Sequence, residues 1–134
     1  TSLAKGELVS AVNLPPRAEA SGDAYLRFIP RTEMDIAVVG CAISLTLDGD
    51  KIATARVALG AVAPKVILVA EAAAALIGTT LDDKALAALQ AAATAAAQPI
   101  TDRRGTVEFR KDVTAVLAAR TARIAYARAK GAVK

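Results

Sequence analysis

The chain has 134 residues, 54% of them hydrophobic, with no His and a formal net charge of +4; this is the size of one ordinary domain with enough apolar surface for a real core. Without an imidazole, His-containing catalytic triads, His general bases and the usual His-bearing zinc sites are excluded; the lone Cys, Cys41, excludes an internal disulfide framework and fits a reducing, cytoplasmic setting. Two Tyr, two Phe and no Trp leave the core to Val, Ile, Leu and a great deal of Ala, so elements pack closely while each buried residue contributes little area.

The chain starts at Thr1 without an initiator Met, which suggests processing or a piece of something longer. "ELVSAVNLP" alternates, with Leu8, Ser10, Val12 and Leu14 opposed to Val9, Ala11 and Asn13, and stops at Pro15-Pro16; the pattern predicts a short strand. After the loop "RAEASGD", "AYLRFIP" predicts a second strand in which Tyr25 and Arg27 oppose Leu26 and Phe28. Glu33 and Asp35, with Arg31 nearby, read as a turn cap and ion pair in preference to general acids or bases. Arg27 sits in an apolar strand, where a ligand role and a plain salt bridge stand level.

In "GCAISLTLDGDKIATARVALGAVAP" two alternating runs flank Asp48-Gly49-Asp50, a sequence suited to a tight hairpin turn. Val39, Cys41, Ile43, Leu45 and Leu47 share one face of the first arm; Ala55, Val57, Leu59 and Ala61 share one face of the second. The opposite face of the first arm, Gly40, Ala42, Ser44 and Thr46, is uniformly small, and that of the second arm is Thr54, Arg56, Ala58 and Gly60, so each arm has one apolar and one low-relief side. Closely packed helices are the favoured occupant of that small face, and a neighbouring domain of the same subunit is the other. Cys41 reads as buried and inert. "IAVVGCAISLTL" is too short and too rich in Ser and Thr to cross a bilayer, and the first residues lack the layout of a secretory signal, so no membrane span is expected.

Beyond Pro64 the period becomes helical. A short Ala-rich helix ends at Gly78, and a second runs from about Leu81 to Gln98, with Thr80, Asp82 and Asp83 offering a cap and favourable negative charge. Two acids at a helix start are dipole partners before they are a metal pair. A third helix follows Gly105 with Thr106 as cap, and Phe109, Val113, Val116, Leu117, Arg120 and Ile124 trace its apolar stripe; Arg110, Lys111, Arg123 and Arg128 fall mainly outside it. Strands first and helices afterwards predict α+β, a small antiparallel sheet of three to four strands packed against about three C-terminal helices, in a single domain over 1–134.

Charge is uneven: residues 1–100 carry a net −2 and residues 101–134 a net +6. A basic end can meet nucleic acid or an acidic partner, but only Phe109 and Tyr126 are there to stack bases, so nucleic acid is not the expected partner. Neither GxGxxG nor GxxxxGK[ST] occurs. The residues by themselves describe a module without a self-contained active site.

Four segments in order, "GELVSAVNLP", "AYLRF" followed by Arg31 and "DIAVVG", "LTLDGDKIATARVALGAVAP" and "DRRGTVEFRKDV", span nearly the whole chain. Together they resemble the C-terminal domain of the FAD-binding medium subunit of molybdenum hydroxylases, the group that includes carbon monoxide dehydrogenase and xanthine dehydrogenase. The resemblance implies a domain that follows two N-terminal FAD-binding domains of the same subunit and closes over the isoalloxazine side of FAD. Its partners would be a molybdenum-containing large subunit and an iron–sulfur small subunit, whose electrons pass through the flavin to an acceptor.

By position in the matching segments, the family's flavin-contacting apolar residue corresponds to Val9 and its basic residue to Arg27. The family often has Lys at the latter place, so a point-charge contact becomes a forked one or is lost; Phe109 stands where Tyr is frequent, removing a hydroxyl. The family's Gly-rich phosphate-holding segments lie upstream of this region. The chain alone is therefore expected to be inactive, to bind FAD weakly or not at all, and to be a fragment or one part of a split subunit. The competing expectation is a non-catalytic protein- or nucleic-acid-interaction module using the basic last helix; a third is a stand-alone small-molecule binding domain.

Overall fold

A computed structural model describes residues 3–31 and 34–132. Its centre is the predicted hairpin: β2 (Val39–Asp48) and β3 (Lys51–Gly60) turn at Gly49-Asp50. Gly49 takes a φ of +59°, a conformation that costs glycine little and other residues more. β1 (Ser21–Phe28) pairs antiparallel with β2, and a two-residue β4 (Ile67–Leu68) pairs antiparallel with β3, giving the sheet order β1-β2-β3-β4. Thr46 faces Thr54 but Leu47 faces Ile52, so Ala53 is the extra residue of a bulge. That bulge turns Ile52 inward, where it is fully buried.

Three helices follow: α1 (Ala70–Ala74), α2 (Asp83–Ala96) and α3 (Val107–Ala129). The α+β arrangement of an antiparallel sheet followed by three helices is thus observed. α2 lies within the predicted span 81–98, and its cap is Asp82, whose carboxylate accepts from the Ala85 amide. Thr106 caps α3 as expected, accepting from the Phe109 amide at 3.2 Å. α3 lies across β1 and β2, α2 packs on α3, and α1 bridges α2 and β3.

The helices cover the large-residue face of the sheet, which corrects the favoured expectation that they would cover the small one. Val39, Cys41, Ile43, Leu45, Val57 and Leu59 are buried beneath them. The physical reason is complementarity: a sheet face of branched aliphatics leaves room only for small side chains on the opposing helix. The buried face of α3 is accordingly mostly Ala118, Ala122 and Ala125 with Thr114 and Thr121; of the predicted stripe, Leu117 is buried and Val113 and Ile124 pack against the core, while Phe109, Val116 and Arg120 are exposed. The closest approach is at Gly22 of β1, where an added Cβ would collide with the Ala125 carbonyl oxygen and the Ala129 backbone. Fully buried side chains such as Ile43, Leu45, Ile52, Leu59, Leu76 and Leu89 each contribute about 1.5–3 kcal/mol.

Arg110, expected outside the apolar face, is also buried, at 3% exposure. Its guanidinium donates to the Val38 carbonyl at 2.8 Å and to Asp102 at 2.6 Å, so it ties the start of β2 to the turn before α3. A buried charge with two good partners is tolerated where an unpaired one is not.

Residues 7–15, predicted as the first strand, form no strand. Leu8, Val12 and Leu14 are 78–88% exposed, and among the described residues no hydrogen bond joins residues 8–16 to the rest of the fold. Extended pairing needs a neighbouring strand, and these residues have none.

Candidate functional site on the open sheet face

With the helices on one face, the other face of the sheet stands open. Tyr25, Ala42, Ala58 and Leu68 form one row across all four strands, and Arg27, Gly40 and Gly60 form the next. In these two rows small residues occupy the middle strands and larger ones the margins, with Tyr25 61% exposed at one side and Leu68 75% and Val66 68% at the other; the next row holds Ser44 and the exposed Arg56. Gly40 is buried because the Tyr25 ring lies across it; a Cβ there would sit 3.1 Å from the Tyr25 hydroxyl oxygen. At Gly60 a Cβ would meet only Val66, at 3.9 Å. The two middle strands lie about 4.8 Å apart, and their small residues make a narrow low strip that suits a flat group laid against backbone.

Arg27 is exposed on this strip. Among the described residues it makes no salt bridge and no side-chain hydrogen bond, so the salt-bridge alternative finds no partner there. Val9 lies on the unpaired segment, 68% exposed, and nothing in the described residues brings it to Arg27. Phe109 packs edge-on against Phe28, with centroids 6.1 Å apart, next to the strip and not on it.

Asp82 is the α2 cap described above, and Asp83 lies in that helix's first turn. Cys41 is buried, which pushes its thiol up to about 11; the nearby Thr121 hydroxyl partly offsets this. Glu33 lies outside the described residues. Asp35 pairs with Arg31 at 3.5 Å, as the sequence suggested, and also with Arg104 at 3.2 Å, which it did not. Burial raises the Asp35 carboxyl, but Arg31, the Ile36 amide and Arg104 outweigh it and hold the group below the ordinary carboxylate value. Asp102 is also held low, chiefly by Arg110 and then by the Arg104 amide. The Asp35–Arg104 and Asp102–Arg110 pairs tie the loop between β1 and β2, and α3, to the turn at Asp102–Gly105, and their partners lie 69 and 8 residues apart in sequence. No local spacing rule finds such pairs.

Much of the basic tail is used internally. Arg128 donates to the Asp23 carbonyl at 2.8 Å and Lys130 reaches Asp50 at 2.9 Å. Tyr126 donates to the Asp50 carbonyl at 2.6 Å, so the end of α3 clamps both the hairpin turn and β1. No helix among the described residues is long and apolar enough to cross a membrane.

The fold and the open face define a class: an antiparallel sheet roofed by small-residue helices on one side and open on the other. The CO dehydrogenase flavoprotein C-terminal domain model matches residues 24–125. The chain belongs to that family. It is 36% identical over 130 residues to the carbon monoxide dehydrogenase medium chain of Afipia carboxidovorans, covering 97% of this chain and 45% of the relative. It is 30% identical to a putative xanthine dehydrogenase FAD-binding subunit of Escherichia coli K12, over 81% of this chain and 38% of the relative. A solved carbon monoxide dehydrogenase from Hydrogenophaga pseudoflava that lacks the Mo-pyranopterin moiety superposes with a TM-score of 0.82 at 31% identity, over 86% of this chain and 40% of that one. The chain therefore spans less than half the length of the relatives it matches.

Proposed function

We propose that this chain works as the C-terminal domain of the FAD-binding subunit of a molybdenum hydroxylase-type oxidoreductase, with its open sheet face packed over the flavin. The observation that carries the reading is the low strip of Ala42, Ala58 and Gly60 beside an exposed Arg27 that has no side-chain partner among the described residues. A planar ring system laid there would lose little to steric clash, and Tyr25 with Leu68 would exclude water from its margins. FAD, when bound, takes up electrons and passes them to an acceptor. In this reading they come from iron–sulfur clusters in a small subunit, after a molybdenum-containing large subunit oxidises the substrate.

The part given to this chain is electrostatic and steric. The Arg27 guanidinium places a fixed positive charge and up to five donors at the ring edge, favouring flavin forms that carry negative charge. Val9 supplies an apolar contact once its segment is docked. The phosphates are held by the N-terminal FAD-binding domains, so this chain alone binds FAD weakly or not at all and has no activity by itself.

The test uses the assembled FAD-binding subunit. Arg27→Met lowers flavin affinity about tenfold or more and shifts the flavin reduction potential, while the melting temperature of the chain is unchanged. A flavin whose affinity and potential ignore Arg27→Met overturns the reading, as does stoichiometric FAD binding by the isolated chain.

A further inference from the structure

We infer that the outward side of α3 is a contact between two copies of this chain, which meet with their α3 helices antiparallel about Val116. That side points away from the sheet and from the open strip, so the contact does not depend on the flavin reading. Four observations lead to it.

First, α3 carries a line of residues that the fold leaves without partners. Phe109 and Val116 are 42% and 43% exposed, and Asp112, Arg120 and Arg123 are exposed on the same side of the helix. None of these three charged groups makes an ion pair or a side-chain hydrogen bond among the described residues. Arg104, Arg110, Arg128 and Lys130, by contrast, are each engaged within the chain.

Second, the helix itself supplies no counter-charge. Three and four residues from Asp112 stand Glu108, Phe109, Ala115 and Val116, and Arg120 and Arg123 are themselves three apart. Each charge therefore meets only neutral or like-charged neighbours along the helix. The helix dipole favours acid early and base late, but only within the first and last turns; Glu108 and Arg128 lie in those turns, and Asp112, Arg120 and Arg123 do not.

Third, the line is its own complement. From Phe109 through Asp112, Val116 and Arg120 to Arg123 the steps are three, four, four and three residues, symmetrical about Val116. A second α3 laid antiparallel, Val116 on Val116, sets Asp112 opposite Arg120 of the second copy and Phe109 opposite Arg123 of the second copy. The twofold axis makes each contact twice, so two ion pairs and two cation–π contacts flank an apolar centre. A parallel pair would set Asp112 on Asp112 and Arg120 on Arg120. Like charges exclude it.

Fourth, the pairing leaves the other surfaces free. α3 lies between this side and the sheet, so two copies joined here present their open sheet faces outward, on opposite sides. One helix pair is small beside the roughly 800 Å² that each partner buries in a stable complex, and the association is correspondingly weak and concentration-dependent.

Analytical ultracentrifugation of the 134-residue chain over a range of concentrations tests the contact. The sedimenting mass rises toward twice the 13.7 kDa of one chain, and added salt lowers it by screening the exposed charges. Arg120→Asp sets acid against acid and weakens the association about tenfold or more; Asp112→Arg sets base against base and does the same. Mixed in equal amounts, the two single variants associate with each other, because each supplies the charge the other lacks. Both keep the wild-type melting temperature at a dilution where the wild type is monomeric. A chain that stays monomeric at every concentration overturns the inference and leaves this side of α3 to a different protein. A dimer indifferent to both charge reversals also overturns it and places the contact elsewhere, as does a failure of the two variants to associate with each other. None of the five residues lies on the open face, so the flavin reading survives or falls separately.

Discussion

The two faces of the sheet solve opposite problems. On the roofed face, large strand side chains meet Ala and Thr of α3, and Gly22 lets the helix backbone come within contact of β1. On the open face the middle strands are small, Tyr25 folds over Gly40, and Arg27 has no partner among the described residues. Small residues serve both faces, but for different ends. In the roof they admit a helix and so stabilise the fold; in the strip they leave a surface bare, which gains no stability for this chain alone. An uncompensated feature of that kind is where function is to be sought.

The sharpest way to break the comparison is to add the same methyl group to each face. Gly22→Ala puts a Cβ into the backbone of α3 and costs about 3 kcal/mol or more, enough to be lost from the urea midpoint at once. Gly60→Ala meets only Val66 at 3.9 Å and stays within about 0.5 kcal/mol of wild type. Equal costs at the two positions would mean that the open face is not open. Somewhat smaller is Arg110→Met, which keeps the volume but strips the Val38 carbonyl of its donor and Asp102 of its cation. A loss of about 2–3 kcal/mol is expected, read by chemical denaturation; a neutral result would show that the tie between β2 and the α3 turn carries no stability.

The smallest expected effect is acid sensitivity. Asp35 and Asp102 have carboxyls lowered on folding, so the unfolded chain binds protons first as pH drops. Their contribution is present in full above the ordinary carboxylate value of about 4 and is lost as pH falls through the lower folded values. Melting temperature followed from pH 6 to pH 2 therefore declines only in the lower half of the range. Asp102→Asn flattens part of that decline; a decline that begins near pH 6 would assign it to other groups.

Much of this was legible in residue order. The hairpin, its turn at Asp48-Gly49-Asp50, the division of β2 and β3 side chains into two faces, the Thr106 cap and the α+β succession follow from periodicity and capping rules that act within a few residues. The resemblance of four segments to the flavoprotein domain placed the chain in its family, and the family match agrees. β4 escaped notice because two residues after a proline carry no period to detect. The stripe on α3 was legible only in part: Leu117 is buried and Val113 and Ile124 pack against the core, but Phe109, Val116 and Arg120 are exposed, because a helix facing branched aliphatics buries mainly its alanines.

The sequence by itself determined which residues can lie together on one side of a strand, because the pleat alternates side chains whatever surrounds it. Which side the helices would choose was decided only in three dimensions, since the choice depends on how bulky one surface is against another, and no single segment contains both. The same holds for Arg110, whose burial rests on Val38 and Asp102 arriving from separate parts of the chain. Residues 7–15 show the complementary case: their pattern encodes a strand, but a strand exists only when a neighbour supplies the hydrogen bonds, and the described fold supplies none.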